Sequence, residues 1–228
     1  MQISEIFYSI QGEGRLVGTP SVFIRTSGCN LRCVWCDTPY TSWTPEGEKR
    51  SVDEIVKEVE KYPHRHVVLT GGEPLLAAEI EELAIDLKQL GSHITVETAA
   101  TIFKPVVCDL ISMSPKLAHS TPLTREKGRF AKMHEAGRLN LAVIQQFVTG
   151  YDYQFKFVVQ QREDFAEIEE ILSGLKSVDA SKVLIMAQGK TAREIRLKAK
   201  WIVDLCKRYG FGYTPRLHID LFGNRRGI

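Results

Sequence analysis

The sequence predicts an α/β fold: a mostly parallel sheet with its helices outside, curved into an incomplete barrel of the TIM type and occupying residues 1–228 as a single domain. Three observations carry this expectation. Short apolar runs bounded by turn residues alternate with stretches of helical periodicity, the pattern of a parallel sheet covered by helices. The 228 residues suit one sizeable core. Only three or four substantial crossover helices are legible, too few for a closed eight-fold barrel, which typically takes about 250 residues.

The elements follow in order. Residues 3–10 alternate like a strand and 21–26 form a second. Ser51 followed by Glu54 has the form of a capping box, opening a helix that runs to residue 61. Residues 66–70 are a buried strand ending in Gly71-Gly72-Glu73-Pro74, with a helical pattern over 77–90 behind it. Strands are then expected at 93–97 and 107–113, a helical stretch at 137–147 and a strand at 153–160. A helix at 165–175, a strand at 182–186, a helix at 191–209 and a last strand at 216–220 complete the chain. Chemistry on such sheets gathers at the C-terminal strand ends. Cys29 and Gly71-Gly72 both lie just past strands, so they are expected to face one crevice.

Composition excludes several classes. With 43% hydrophobic and 25% charged residues the bulk of the chain is not disordered. Thirty Lys and Arg against 28 Asp and Glu leave +2, so neither a nucleic-acid nor a membrane partner is expected. The opening MQISEIFYSI lacks a basic and then apolar leader, and no run of 18 apolar residues occurs, which makes the cytoplasm the expected compartment.

Of five cysteines, Cys29, Cys33 and Cys36 fall within eight residues while Cys108 and Cys206 stand apart, an odd count unlike a disulfide framework. Clustered thiols suit metal or redox chemistry. Zinc could be completed by a distant His or Cys. An iron–sulfur cube held by only three thiolates instead leaves one iron open to a small molecule. Gly71 and Gly72 allow close backbone approach to a ligand, and the Glu73 carboxylate could hold an ammonium, although GGEP taken alone is equally a turn before a helix. Cys108 and Cys206 are expected to pack as small buried hydrophobes.

Cys29-x-x-x-Cys33-x-x-Cys36, with Trp35 before the last Cys and Gly71-Gly72-Glu73-Pro74 about 35 residues on, resembles the paired signature of radical S-adenosylmethionine (SAM) enzymes. The resemblance implies a radical SAM core in which the three Cys bind a [4Fe–4S] cluster, the open iron chelates SAM, and the glycine-rich strand end meets its amino group. The phrases EIFYSIQGEG, SVFIRTSGCNLRCVWCDT, LTGGEP, VETAAT, ISMSPK, QFKFVV and RLHIDLFGNRRGI, spread over essentially the whole chain, are similar to those of the 7-carboxy-7-deazaguanine synthase (QueE) family. That family converts 6-carboxy-5,6,7,8-tetrahydropterin to 7-carboxy-7-deazaguanine with loss of ammonia.

The resemblance implies roles for residues here. Gln11, Gly12, Glu13, Arg25, Thr70 and His218 would face the pterin, and Thr38, after Asp37, would meet Mg2+. Trp35, Gly71, Gly72, Glu73, Ser114, Lys116 and Gln188 would face SAM. The residue chemistry is compatible: Glu13 can accept two N–H bonds from a pterin edge, Gln11 offers both bond types, and Arg25 suits a carboxylate. Each also has an ordinary reading, as a solvated turn carboxylate, a strand salt-bridge partner, a structural His or a loop cap. The family further implies a homodimer and an electron donor such as flavodoxin or ferredoxin. Two rival functions stay open at this point: an activase that installs a glycyl radical on a partner protein, and a zinc-binding interaction module.

Overall fold

A computed structural model describes residues 1–63 and 65–228. In chain order it runs β1 (Gln2–Ile10), β2 (Pro20–Thr26), α1 (Pro39–Ser42), β3 (Glu48–Lys49), α2 (Val52–Val59), β4 (His66–Gly71), α3 (Ile80–Gln89), β5 (His93–Thr98) and β6 (Leu110–Met113). There follow α4 (Ala131–Gly137), α5 (Leu141–Gly150), β7 (Tyr153–Val159), α6 (Asp164–Ser173), β8 (Val183–Ala187), α7 (Ala192–Tyr209), β9 (Gly212–Tyr213) and α8 (Leu217–Phe222). The strands make one sheet in the order β3-β1-β2-β4-β5-β6-β7-β8-β9. β1 pairs antiparallel with β2 and β3, and every pairing from β2–β4 onward is parallel, so the barrel stays open as expected.

Strand periodicity separates the two faces of this sheet. Side chains two apart share a face. Val22, Ile24, Val67, Leu69, Ile94, Val96, Ile111, Phe155 and Phe157 are buried in the main core, with Ile55, Leu83, Leu87, Phe147, Ile168 and Ile202 from the helices. The alternate positions carry polar groups: Arg25 pairs in register with Thr70, Glu97 with Ser112, and Ser112 with Gln154. The sheet therefore seals its helix-covered side with hydrocarbon and leaves a polar concave side.

Local chemistry explains most boundaries. The capping box at α2 is complete: Glu54 N donates to Ser51 Oγ (3.2 Å) and Ser51 N to Glu54 Oε2 (2.8 Å). Thr191 and Glu194 repeat it at α7. The helical stretch expected at 137–147 is α5, which begins only at Leu141 because Asn140 caps it, its Oδ1 accepting from Val143 N (3.3 Å); the separate helix α4 before it was not expected. The strand expected from 107 begins only at Leu110, since Asp109 takes the Ile94 N–H (2.7 Å) with its carboxylate. The helix expected from 77 begins at Ile80, behind a 3-10 turn over Pro74–Leu76.

The last strand expected, at 216–220, is helix α8. The alternation of Leu217, Ile219 and Leu221 imitates a strand, but Pro215 has no N–H for a ladder and β9 ends at Tyr213. Ile219 is buried while Leu221 and Phe222 are exposed, so the short helix docks by one side chain. Crossover helices are also more numerous than expected: among the described residues α2, α3, α5, α6 and α7 each have eight residues or more. Among the described residues no helix is long and apolar enough to cross a membrane.

Candidate active site

At the C-terminal ends of the parallel strands the polar face opens into a cavity of about 610 Å³. Every site residue expected from the sequence lines it except Glu73.

One wall is the cysteine loop. Cys29, Cys33 and Cys36 are free thiols packed with Leu31 and Ala99. The loop backbone is tied down from outside: Val34 N donates to Ser120 O (2.8 Å), Arg32 N to His134 Nδ1 (3.0 Å) and Trp43 Nε1 to Cys33 O (3.0 Å). Burial pushes the Cys29 thiol up to about 11 and the Cys33 thiol up to about 12. Such thiols stay neutral until a cationic centre displaces their protons. Among the described residues no group of three or more His, Cys, Asp or Glu side chains is arranged to hold a single metal ion. Three soft donors lining one cavity fit a cluster instead, in which each thiolate takes a different iron. Trp35 donates its indole N–H to His119 Nδ1 (3.0 Å), and the two rings stack 5.6 Å apart.

The glycine turn abuts this loop. Gly71 has φ +148°, and a Cβ there would collide with the Thr26 backbone; one on Gly72 would collide with Gly28 O. Gly72 N donates to Thr26 O (3.2 Å) and Glu73 N to Gly28 O (2.9 Å), so the two segments touch main chain to main chain. Glu73 corrects an expectation. Its carboxylate, 1% exposed, accepts from Ala99 N (2.9 Å), Thr98 Oγ1 (2.8 Å) and Leu75 N (3.2 Å), so it binds the ends of β4 and β5 together and offers nothing to a ligand ammonium. Ser114 and Lys116 line the cavity as a pair, Lys116 Nζ donating to Ser114 Oγ (2.8 Å) and O (2.7 Å). Gln188 lines it too, with its Oε1 accepting from Lys198 Nζ (3.0 Å).

The same cavity is also lined by a chain of charges. Lys156, 3% exposed, donates to Glu13 Oε2 (3.0 Å) and Glu97 Oε1 (2.9 Å). Arg216 donates to Glu13 Oε1 (3.0 Å) and Gly189 O (2.7 Å) and pairs with Asp37. Glu97 also accepts from Gln11 Nε2 (3.3 Å) and Thr70 Oγ1 (3.0 Å). Burial alone would raise the Glu13 carboxyl, but the Lys156 ammonium and the Arg216 guanidinium outweigh it and hold the group well below the usual carboxylate range. Asp37 is likewise lowered against its burial, by Arg216. Burial opposes charging of Lys156 as well, yet Glu97 and Glu13 raise it. These groups are ionised in the folded protein.

Gly12 serves His218: a Cβ on Gly12 would overlap the imidazole ring, and Leu217 N donates to Gly12 O (2.9 Å), which seats α8 against the β1–β2 loop. Burial lowers the His218 pKa, leaving a neutral ring facing the cavity. Arg25 uses Nε on Glu5 Oε1 (2.6 Å), an oxygen that also accepts from Tyr40 OH (2.8 Å). Thr38 Oγ1 faces the cavity 3.8 Å from Cys36 Sγ.

Glu97 and Arg216 were missing from the expected set. Glu97 could have been found as the lone carboxylate of a buried strand, in HITVET; Arg216 was masked by its assignment to a strand. The tail residues Asn224 to Ile228 also line the cavity.

The chain as a whole is similar to proteins already known. The model of the radical SAM superfamily matches residues 23–202. The 7-carboxy-7-deazaguanine synthase of Rhodopirellula baltica is 45% identical over 226 residues, covering 99% of this chain and 88% of that protein. That of Halobacterium salinarum is 44% identical, covering 98% and 91%. Among solved structures, QueE from Escherichia coli superposes with a TM-score of 0.73 over 95% of this chain and 94% of that one, at 22% identity, a likeness of fold.

Proposed function

The chain belongs to the 7-carboxy-7-deazaguanine synthase family of the radical SAM superfamily, and from that premise we propose how its residues divide the work. It is a radical SAM carbon–nitrogen lyase with a [4Fe–4S] cluster and SAM, acting on a small molecule in queuosine biosynthesis. The relatives are synthases, which leaves the activase reading without support.

The observation that carries the proposal is that three thiols and a chain of ionised side chains line one cavity. Bound together, the cluster and SAM supply hydrogen-atom abstraction, a reaction no side chain here performs. Cys29, Cys33 and Cys36 hold the cluster. Gly71 and Gly72 bare their backbone to the amino group of SAM, while Trp35, Ser114, Lys116 and Gln188 flank the rest of it. The thiol wall is apolar around Leu31 and Ala99, which keeps water from the reacting carbon.

The ionised wall takes 6-carboxy-5,6,7,8-tetrahydropterin. Glu13 is held deprotonated by Lys156 and Arg216, so its oxygens accept N–H bonds and donate none. Gln11, Gly12 and Thr70 frame the ring, Arg25 binds the carboxylate, and neutral His218 is able to accept or donate one proton. Mg2+, a hard ion, fits beside the Thr38 hydroxyl only if substrate and water supply most of its oxygens, because Asp37 is engaged by Arg216. We further propose a single radical SAM domain over residues 1–228, a homodimer, a cytoplasmic location, and a flavodoxin or ferredoxin as reductant.

Anaerobic incubation of the reconstituted protein with the pterin, SAM, Mg2+ and dithionite tests the reading. One 7-carboxy-7-deazaguanine and one ammonia per pterin consumed are expected. A fully iron-loaded protein that leaves the pterin untouched would refute it.

A further inference from the structure

Beside the cysteine loop, outside the cavity, lies a turn whose cations have no carboxylate partner among the described residues. Residues 123–133, LTREKGRFAKM, carry Arg125, Lys127, Arg129 and Lys132 against one carboxylate, Glu126. Arg32, within the cysteine loop, adds a fifth cation. Among the described residues none of the five is ion-paired, whereas the nearby Arg138 is paired to both Glu135 (2.8 Å) and Glu167 (2.7 Å). Aromatic rings hold the guanidiniums instead. Arg125 lies 3.7 Å from the Trp43 ring centroid, and Arg32 and Arg129 lie 5.4 Å and 5.1 Å from that of Phe130. Such contacts orient a cation without neutralising it.

Lys127, Arg129 and Lys132 are exposed, and two apolar side chains, Leu123 and Met133, stand exposed at the ends of the same segment. Glu126 (φ 49°) and Lys127 (φ 56°) precede Gly128 (φ 73°) in left-handed backbone. Non-glycine residues adopt that region at a cost, and such strain gathers where a segment has a task.

The turn is fastened to the backbone around Cys33. Arg125 Nη1 donates to Val34 O (3.3 Å), Arg32 Nη1 donates to Cys29 O (2.7 Å), and Trp43, beneath Arg125, donates to Cys33 O (3.0 Å). Arg32 and Arg125 are thus bonded directly to the main chain of the loop that carries the thiols.

SAM and pterin enter the cavity, and the conversion of pterin to deazaguanine and ammonia is redox-neutral, but the cluster must first be reduced by one electron that comes from outside this chain. We infer that the basic turn of residues 123–133, together with Arg32, is the docking surface for an acidic, low-potential one-electron carrier protein. This rests on reading Cys29, Cys33 and Cys36 as cluster ligands. In the transfer the reduced carrier loses one electron and the cluster gains one, with no bond made or broken and no proton moved. Two alternative occupants fit less well. A second copy of this chain meeting itself through a two-fold contact would set these cations against each other. A nucleic acid would have no reason to sit over the cluster loop in particular.

The test is the triple variant Lys127→Glu/Arg129→Glu/Lys132→Glu, whose residues lie outside the cavity. Titration calorimetry of the reconstituted proteins with an oxidised acidic flavodoxin, and then with an acidic [2Fe–2S] ferredoxin, reads the dissociation constant. At least one carrier should bind the parent, and bind the variant about tenfold or more weakly at low ionic strength, with the gap closing as salt rises. Unchanged iron content in the variant establishes that it folds and loads. Equal carrier affinity for both proteins, no binding by either carrier, or loss in the variant only of binding to a transfer RNA would each overturn the inference. Dithionite-driven turnover of the parent judges the catalytic reading separately, and the dissociation constant tests docking whatever that turnover is.

Discussion

The two walls of the cavity are made stable by opposite means. Around Cys29, Cys33 and Cys36 the chain uses apolar contacts and outside hydrogen bonds, leaving neutral thiols whose charged form burial disfavours. Elsewhere in the lining Asp37, Arg216, Glu13, Lys156 and Glu97 form a chain of ion pairs in which the buried cations Lys156 and Arg216 are stabilised by half-buried carboxylates. Burying two ions costs several kcal/mol each before their attraction offsets it, so a mutually paired chain is poor value as a structural device. It makes sense as a preformed receptor for a polar substrate. The thiol wall, by contrast, is completed only by what binds it.

The comparison breaks most sharply if one wall can be removed without the other. Cys33→Ser should eliminate both iron loading and product, because three thiolates are the minimum that leaves one iron open. Iron content and anaerobic product analysis check this, and a variant that still loads and turns over would end the cluster assignment. Glu13→Gln should keep iron while lowering turnover at least a hundredfold, an expectation of about 3 kcal/mol in the barrier. It should also cost about 3–5 kcal/mol of stability, since Lys156 and Arg216 lose a buried counter-charge. Denaturant unfolding beside a turnover assay separates the two effects.

Gly12→Ala sharpens the same contrast more gently. A Cβ at that position displaces the His218 ring, so the apparent affinity for pterin should fall about tenfold, a cost of about 1.4 kcal/mol, while that for SAM stays put. Equal losses for both ligands would merge the walls into one site.

The smallest effect concerns pH, and lies at the far end of the sheet. His66, bonded to Ser21 Oγ (2.5 Å) and Thr95 Oγ1 (3.0 Å), is lowered by burial from 6.5 to about 4. Between those values the unfolded chain binds a proton that the folded chain refuses, so stability should decline as pH falls from about 6.5 toward 4. His66→Gln should flatten part of that decline in thermal melts of the metal-free protein. An identical slope in parent and variant would acquit His66.

Much of this arrangement was legible from residue order. Strand positions and the thiol loop announce themselves through period-two apolar runs and the crowding of Cys29, Cys33 and Cys36. Pairings distant in sequence do not: nothing local links Glu13 to Arg216, 203 residues away, or to Lys156, 143 away. Glu73 misled for the reverse reason, since a carboxylate in a glycine turn looks free until Ala99 N and Thr98 Oγ1 are found occupying it. The final helix was hidden by an alternation whose meaning depended on Pro215 and on a ladder already ended at Tyr213.

The division of labour itself is open to one measurement: electron paramagnetic resonance of the reduced, reconstituted Glu13→Gln protein, titrated first with SAM and then with pterin. SAM should perturb the cluster signal as it does in the parent, and the further change that pterin causes in the parent should be absent. A variant that loses its response to SAM, or that keeps its response to pterin, would contradict the separation of the two walls.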